Sequence, residues 1–136
     1  MREIKCLSVS PGCSPWVTTI ETSVDAFNKA VSIGAEDELR AVAKRIGKYT
    51  YVLYAYDGMF AGLDVNRKVD GEIISGVFYI IAVDKKGHPI SMTDKQMMKY
   101  MMQFYEPEHY SYRDVLSNWS DYMLKELDDM AVCTES

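Results

Sequence analysis

Residues 73 to 83 read Ile-Ile-Ser-Gly-Val-Phe-Tyr-Ile-Ile-Ala-Val, a run in which only Ser75 and Gly76 interrupt the apolar character. A half-exposed strand would alternate apolar with polar side chains, and a membrane-spanning helix needs about 20 apolar residues, so the run predicts a buried central strand. It lies within the stretch Gly62 to Phe104, where the polar loop Gly62-Leu63-Asp64-Val65-Asn66-Arg67 precedes it and a Met-rich helix follows. The rest of the chain is expected to pack around that stretch.

Upstream, Ile4 to Val9 is rich in β-compatible side chains and stops at Pro11-Gly12, after which Trp16 to Ile20 forms the second arm of a hairpin. Thr22-Ser23-Val24-Asp25 supplies a helix N-cap. Val24, Phe27, Ala30 and Val31 follow at helical spacing, and Gly34 marks the stop. From Glu36 to Ile46 the local pattern favours a helix, because Leu39, Val42, Ala43 and Ile46 share one helical face and Gly47 stands where a C-cap would. Tyr49 to Tyr56 is aromatic and β-branched and ends at Asp57-Gly58, which gives a strand and a turn.

After the central run, Val83 to His88 reads as a turn and His88 to Ser91 as a short return strand, with Pro89 suited to an edge. Thr93-Asp94-Lys95-Gln96 has the capping-box arrangement and opens a helix with two adjacent stripes. Met97, Met101 and Phe104 form one stripe; Met98, Met102 and Tyr105 form the other. Glu106-Pro107-Glu108 breaks this helix, and a last one starts near Ser111, with Val115, Leu116, Trp119, Tyr122, Met123, Leu127 and Met130 as its apolar face. The expected fold is α+β: a mostly antiparallel sheet, the Ser23 and Thr93 helices on one face, and an additional acidic C-terminal helix. The expected division is a domain over residues 1–106 and the acidic helix over 107–136, packed on or beside it.

At 136 residues and 48% hydrophobic content, one domain with its own core is expected. The net charge of -5 is concentrated at one end: residues 106–136 hold 8 acidic and 2 basic side chains, whereas the first 105 residues are nearly balanced. Without a basic run longer than a pair, direct nucleic-acid binding is not expected. The three cysteines, Cys6, Cys13 and Cys133, match neither a disulfide framework nor a zinc site, and a reducing cytoplasm is the expected location. The N-terminus lacks the apolar stretch of about 7 to 15 residues of a signal peptide, and no membrane segment is expected.

Asn66 and Arg67 are the first candidates for binding, together with Asp64 on the same loop. A guanidinium offers a planar fork for carboxylate or phosphate, and a loop asparagine satisfies backbone groups or a ligand. The competing structural use is that Asn66 caps a turn and Arg67 pairs with Asp64 or Asp70. Asp121, Glu126, Asp128 and Asp129 on the last helix form the second candidate set, as an acidic face toward a partner. Core packing accounts for the Met stripes; if one stays exposed, a homodimer or a partner helix would cover it. The cysteines and His88 or His109 have no nucleophile–base spacing, the carboxylate pairs look like solvated helix surface, and no glycine-rich phosphate loop is present. Neither catalysis nor a cofactor or metal is expected.

Several motifs together resemble an uncharacterised family of small phage, plasmid and bacterial proteins, known as domain of unknown function 3846. They are the first strand with Pro11-Gly12, Gly62-Leu63-x-x-Asn66-Arg67, Ile73 to Ile80, and Ser91 to Gln96 leading to Tyr100 and Phe104. The resemblance covers roughly Ile4 to Phe104 and implies a mixed α and β domain carried by mobile elements, with no catalytic assignment. The family pattern has a glycine pair before a third strand. This chain has Gly34-Ala35 and then Glu36-Asp37-Glu38, so helix and strand both stay open for 36–46. The acidic helix lies outside the resembling part. The expected function is that of a non-enzymatic cytoplasmic accessory protein that binds a host protein, such as a defence nuclease with a basic nucleic-acid channel. The alternative is a small-ligand binder with Asn66, Arg67, Tyr54 and Tyr56 around a nucleotide-like metabolite.

Overall fold

The computed structural model describes residues 2–135, without the side chains of Glu126 and residues 128–135. Its elements run β1 (Glu3–Val9), β2 (Trp16–Glu21), α1 (Val24–Val31), β3 (Ala41–Gly47), β4 (Thr50–Ala55), β5 (Val65–Val69), β6 (Glu72–Ser75), β7 (Phe78–Val83), β8 (Pro89–Ile90), α2 (Asp94–Gln103) and α3 (Tyr112–Glu135). The fold is α+β. All strand pairs are antiparallel, in the order β2-β1-β7-β4-β3 with β8 also on β7, and β5 and β6 form a separate two-stranded ribbon.

The central strand is β7, buried along its whole length and paired to β1 on one side and β4 on the other. Its continuous apolar character follows from cover on both faces. Phe78, Ile80 and Ala82 point with Leu7, Val9 and Val52 toward Met97, Tyr100 and Phe104 of α2 and toward Val69 and Ile74 of the ribbon. Tyr79 and Ile81 point with Ile4, Cys6 and Leu53 toward Val31, Phe27 and Ala30 of α1. The expectation that both helices share one face is therefore corrected: α1 and α2 lie on opposite faces of the sheet. The apolar period of two along β7 is masked because both sets of alternate residues are buried.

A second correction concerns the extent of that strand. The apolar run is two strands in two sheets, divided at Gly76, whose φ of +87° turns the chain out of one sheet and into the other. The left-handed backbone favours glycine, and a Cβ at Gly76 would come within 2.6 Å of a Leu63 terminal methyl, which would have to shift. Half of the polar loop before the run is also strand, since β5 begins at Val65.

For residues 36–46, where helix and strand both stood open and local spacing favoured the helix, the structure decides against the helix. Residues 41 to 47 are β3, an outer strand paired to β4 with a register shift between Arg45 and Gly47. Ala41 packs with the α1 face and Ile46 with the α2 face, which is a strand's alternation. Before it, the chain is held extended by side chains of α1: Ser32 Oγ accepts from the Leu39 amide at 2.7 Å and Asn28 Oδ1 from the Ala41 amide at 2.8 Å. Ladder bonds to β4 thus outweigh a helical preference that only local spacing supported.

Other local readings match. The Ser23 side chain caps α1, Thr93 and Gln96 form the reciprocal capping box of α2, and Ser111 and Asp114 exchange the same pair of bonds at the start of α3. α1 ends at Val31, ahead of Gly34. Among the described residues no helix is long and apolar enough to cross a membrane.

Candidate functional site

Asn66 and Arg67 are held on β5 and are almost wholly buried, at 1% and 0% exposure. Arg67 is the largest fully buried side chain among the described residues. Its Nε donates to the Glu106 carbonyl at 3.2 Å, Nη1 to the Ser10 carbonyl at 3.2 Å and to Asn66 Oδ1 at 2.8 Å, and Nη2 to the Cys13 carbonyl at 2.5 Å. Asn66 Nδ2 donates to the carbonyls of Val9 and Gly76 at 2.8 and 2.9 Å. Burial pulls the Arg67 pKa below the ordinary guanidinium value, and the nearby Glu108 carboxylate opposes that shift. The fork therefore faces the protein's own carbonyls. It knots the turn after β1 to the ribbon and to the linker between α2 and α3, and pairs with neither Asp64 nor Asp70.

Asp64 is exposed on the same segment, and its carbonyl accepts from the Gly76 amide at 2.7 Å. Tyr54 and Tyr56, expected beside Arg67 in a ligand pocket, lie instead in a different cleft whose lining includes neither Asn66 nor Arg67. Asp121 is exposed on α3, beside Lys44, Asp70 and Lys125. The side chains of Glu126, Asp128 and Asp129 lie outside the described residues, as does that of Cys133.

The two stripes of α2 separate as drawn from the sequence. Met97 and Phe104 are in the core with Met101 packed against it, whereas Met98 and Met102 are 67% and 74% exposed and Tyr105 is exposed beside them. Cys6 is buried, and burial pushes its thiol up to about 12, away from thiolate chemistry at neutral pH. His88 lies in the exposed turn beside Asp84, at 3.7 Å.

What the sequence reading missed is the seat of α3. Asn118 bridges the ribbon turn, accepting from the Ile73 amide at 2.8 Å and donating to the Gly71 carbonyl at 2.7 Å, while Val115 is buried. Next to this seat, Tyr54 Oη donates to Glu72 Oε2 at 3.0 Å, Lys44 Nζ lies 3.7 Å from the same oxygen, and the Lys44 ammonium stands over the Tyr122 ring at 5.5 Å. On the adjoining side Phe60, from the turn after β4, meets Trp119 edge-on with ring centroids 5.7 Å apart. This pair forms part of the lining of a cleft of about 330 Å³, whose other walls are aromatic and aliphatic groups with Asp57, Glu72, Ser75 and Asn118. Phe60 stands two residues after the Asp57-Gly58 turn signal, and nothing local in the sequence points from it to Trp119. No protein-family model, curated protein or solved structure matches the chain.

Proposed function

We propose that the chain is a non-enzymatic binding protein that engages a partner protein through α3 and the turn after β4. One observation carries this: Leu116, Trp119, Met123 and Leu127 remain largely exposed in a row on a helix whose neighbouring face is seated on the ribbon, Trp119 alone of the row meeting an aromatic ring, that of Phe60. A contiguous apolar stripe on an otherwise acidic helix is costly in water and is the ordinary mark of an interaction surface. The motif resemblance supports a mobile-element origin, so the partner is sought in the bacterial host cytoplasm, a nuclease with a basic channel among the candidates. The small-ligand reading ranks behind it. The tyrosines expected to line such a pocket are parted from Arg67, and among the described residues no Lys or Arg is in the lining of their cleft, the Arg40 guanidinium lying over the Tyr56 ring.

A photo-crosslinking residue at Ser120 of α3, compared in host cells with one at Lys85 in the turn after β7, tests the reading. Discrete protein adducts from position 120 alone are expected. The same adducts from both positions, or none from either, would end it.

A further inference from the structure

The two outer strands of the main sheet end it differently. On one side β3 carries Lys44 and Arg45, and its register to β4 shifts between Arg45 and Gly47. Lys44 also reaches across to the Val69 and Asp70 carbonyls of the ribbon. Charge, irregularity and cover are the means by which an edge is kept from pairing further. On the other side β2 has none of them. Its residues, Trp16–Glu21, run in unbroken register against β1 and include no proline, lysine or arginine. Among the described residues no strand lies on the outer side of β2. Alternate residues of an antiparallel edge direct their N–H and C=O groups outward, so what completes β2 is another extended strand.

We propose that β2 pairs antiparallel with β2 of a second copy about a two-fold axis at Thr18, joining the two sheets into one. The inference goes beyond the protein-binding reading and does not rest on it, since it uses neither α3 nor the turn after β4. Self-complementarity selects the occupant. A two-fold axis normal to the sheet keeps each face on its own side, so residues set opposite one another share parity along the strand. Centred on Thr18, Trp16 falls opposite Ile20 of the second copy, Val17 opposite Thr19, and Thr18 opposite itself. Ile20 packs on the α1 side of the sheet, and Trp16, 52% exposed, has the same parity, so it gains a β-branched neighbour on that side. Val17, 47% exposed, gains one on the other side. Aromatic with β-branched and threonine with threonine are favourable cross-strand pairs. Glu21, the one charged residue of β2, falls opposite Pro15, so no like charges meet along the strand pair. An axis at Thr19 would instead set Val17 against Glu21 and leave Trp16 without Ile20. The two-fold contact also closes on itself and leaves no β2 edge for a third chain.

The test follows assembly of the full chain by sedimentation over a range of concentrations. A monomer–dimer equilibrium is expected, and Thr18→Lys, which sets two ammonium groups opposite one another, is expected to weaken it roughly ten-fold. Thr18→Glu should do the same, and an equimolar mixture of the two variants should recover the dimer as a mixed pair. Circular dichroism checks that the fold is kept. A second measurement does not depend on charge. It places Thr18→Cys in a chain with Cys6→Ala, Cys13→Ser and Cys133→Ser, because Cys6 faces Thr18 across β1 and would compete. Mild oxidation is expected to link Thr18→Cys into a disulfide dimer and to leave Thr19→Cys, opposite Val17, unlinked. A monomer at every concentration would overturn the proposal and leave β2 to an extended segment of another protein. A dimer indifferent to both charged variants, or linked equally through positions 18 and 19, would overturn it as well. So would a dimer that Met102→Glu dissociates and Thr18→Lys does not, which would assign the contact to α2. Adducts from Ser120 with no dimer would refute this inference alone, and a Thr18-centred dimer without adducts would refute only the binding reading.

Discussion

The Arg67 guanidinium donates to the amide oxygen of Asn66, its neighbour in sequence, at 2.8 Å, although successive residues of a regular strand point to opposite faces. The two cooperate because β5 is irregular here, its register to β6 shifting between Val65 and Lys68. Between them they satisfy the carbonyls of Val9, Ser10, Cys13, Gly76 and Glu106.

Arg67→Ala strips three of those carbonyls of the donor described here and leaves a cavity, so a loss of about 3–5 kcal/mol is expected in urea unfolding. Arg67→Lys recovers little of it, because a point charge cannot serve carbonyls on separate segments as a planar fork does. A variant as stable as the parent would return Arg67 to the list of ligand-binding residues.

Gly76→Ala is expected to cost about 2 kcal/mol, from a left-handed backbone and from the 2.6 Å approach to Leu63. The double variant with Leu63→Ala separates the causes. If crowding dominates, the second substitution costs less on the Gly76→Ala background than on the parent; if backbone strain dominates, the two costs add.

Asn118→Ala removes both partners of the ribbon turn and is expected to cost about 1–2 kcal/mol. The informative readout is hydrogen exchange. The Ile73 amide, now paired to the Asn118 side chain, should lose protection while amides of β7 keep theirs. Unchanged Ile73 exchange would mean that α3 is not held as described.

Cys6 should resist alkylation in the folded protein while the exposed Cys13 reacts, with Cys6 becoming reactive only on unfolding. The same burial sets a pH dependence. The unfolded thiol releases its proton near 9.0 while the folded one holds it up to about 12, so over that interval the folded state binds more protons and stability falls as pH rises. Cys6→Ala should flatten that part of the curve, and an unaltered slope would assign it to other groups.

Features that depend on a few adjacent residues were legible in the sequence: the first hairpin, the strand ending at Asp57-Gly58, and the capping box at Thr93. β3 was not, because over so short a run Val42 and Ile46 suit a helical face as well as one side of a strand, and the ladder to β4 decides between them. The Asp70-Gly71 pair did carry a hairpin signal, and φ values of +47° and +85° show it closing the turn between β5 and β6. Reading Ile73 to Val83 as one strand hid it. The burial of Arg67 had no local sign, since its carbonyl acceptors lie 39, 54 and 57 residues away. The pairing of Phe60 with Trp119 is hidden for the same reason.

The position of β7 between β1 and β4 has a consequence for synthesis of the chain. Until Phe78 to Val83 has left the ribosome, the β1–β2 and β3–β4 hairpins have no strand to join them, and each presents a bare edge. The sheet can close only when a strand made after both hairpins joins them, and the nascent chain depends on whatever shields those edges in the interval.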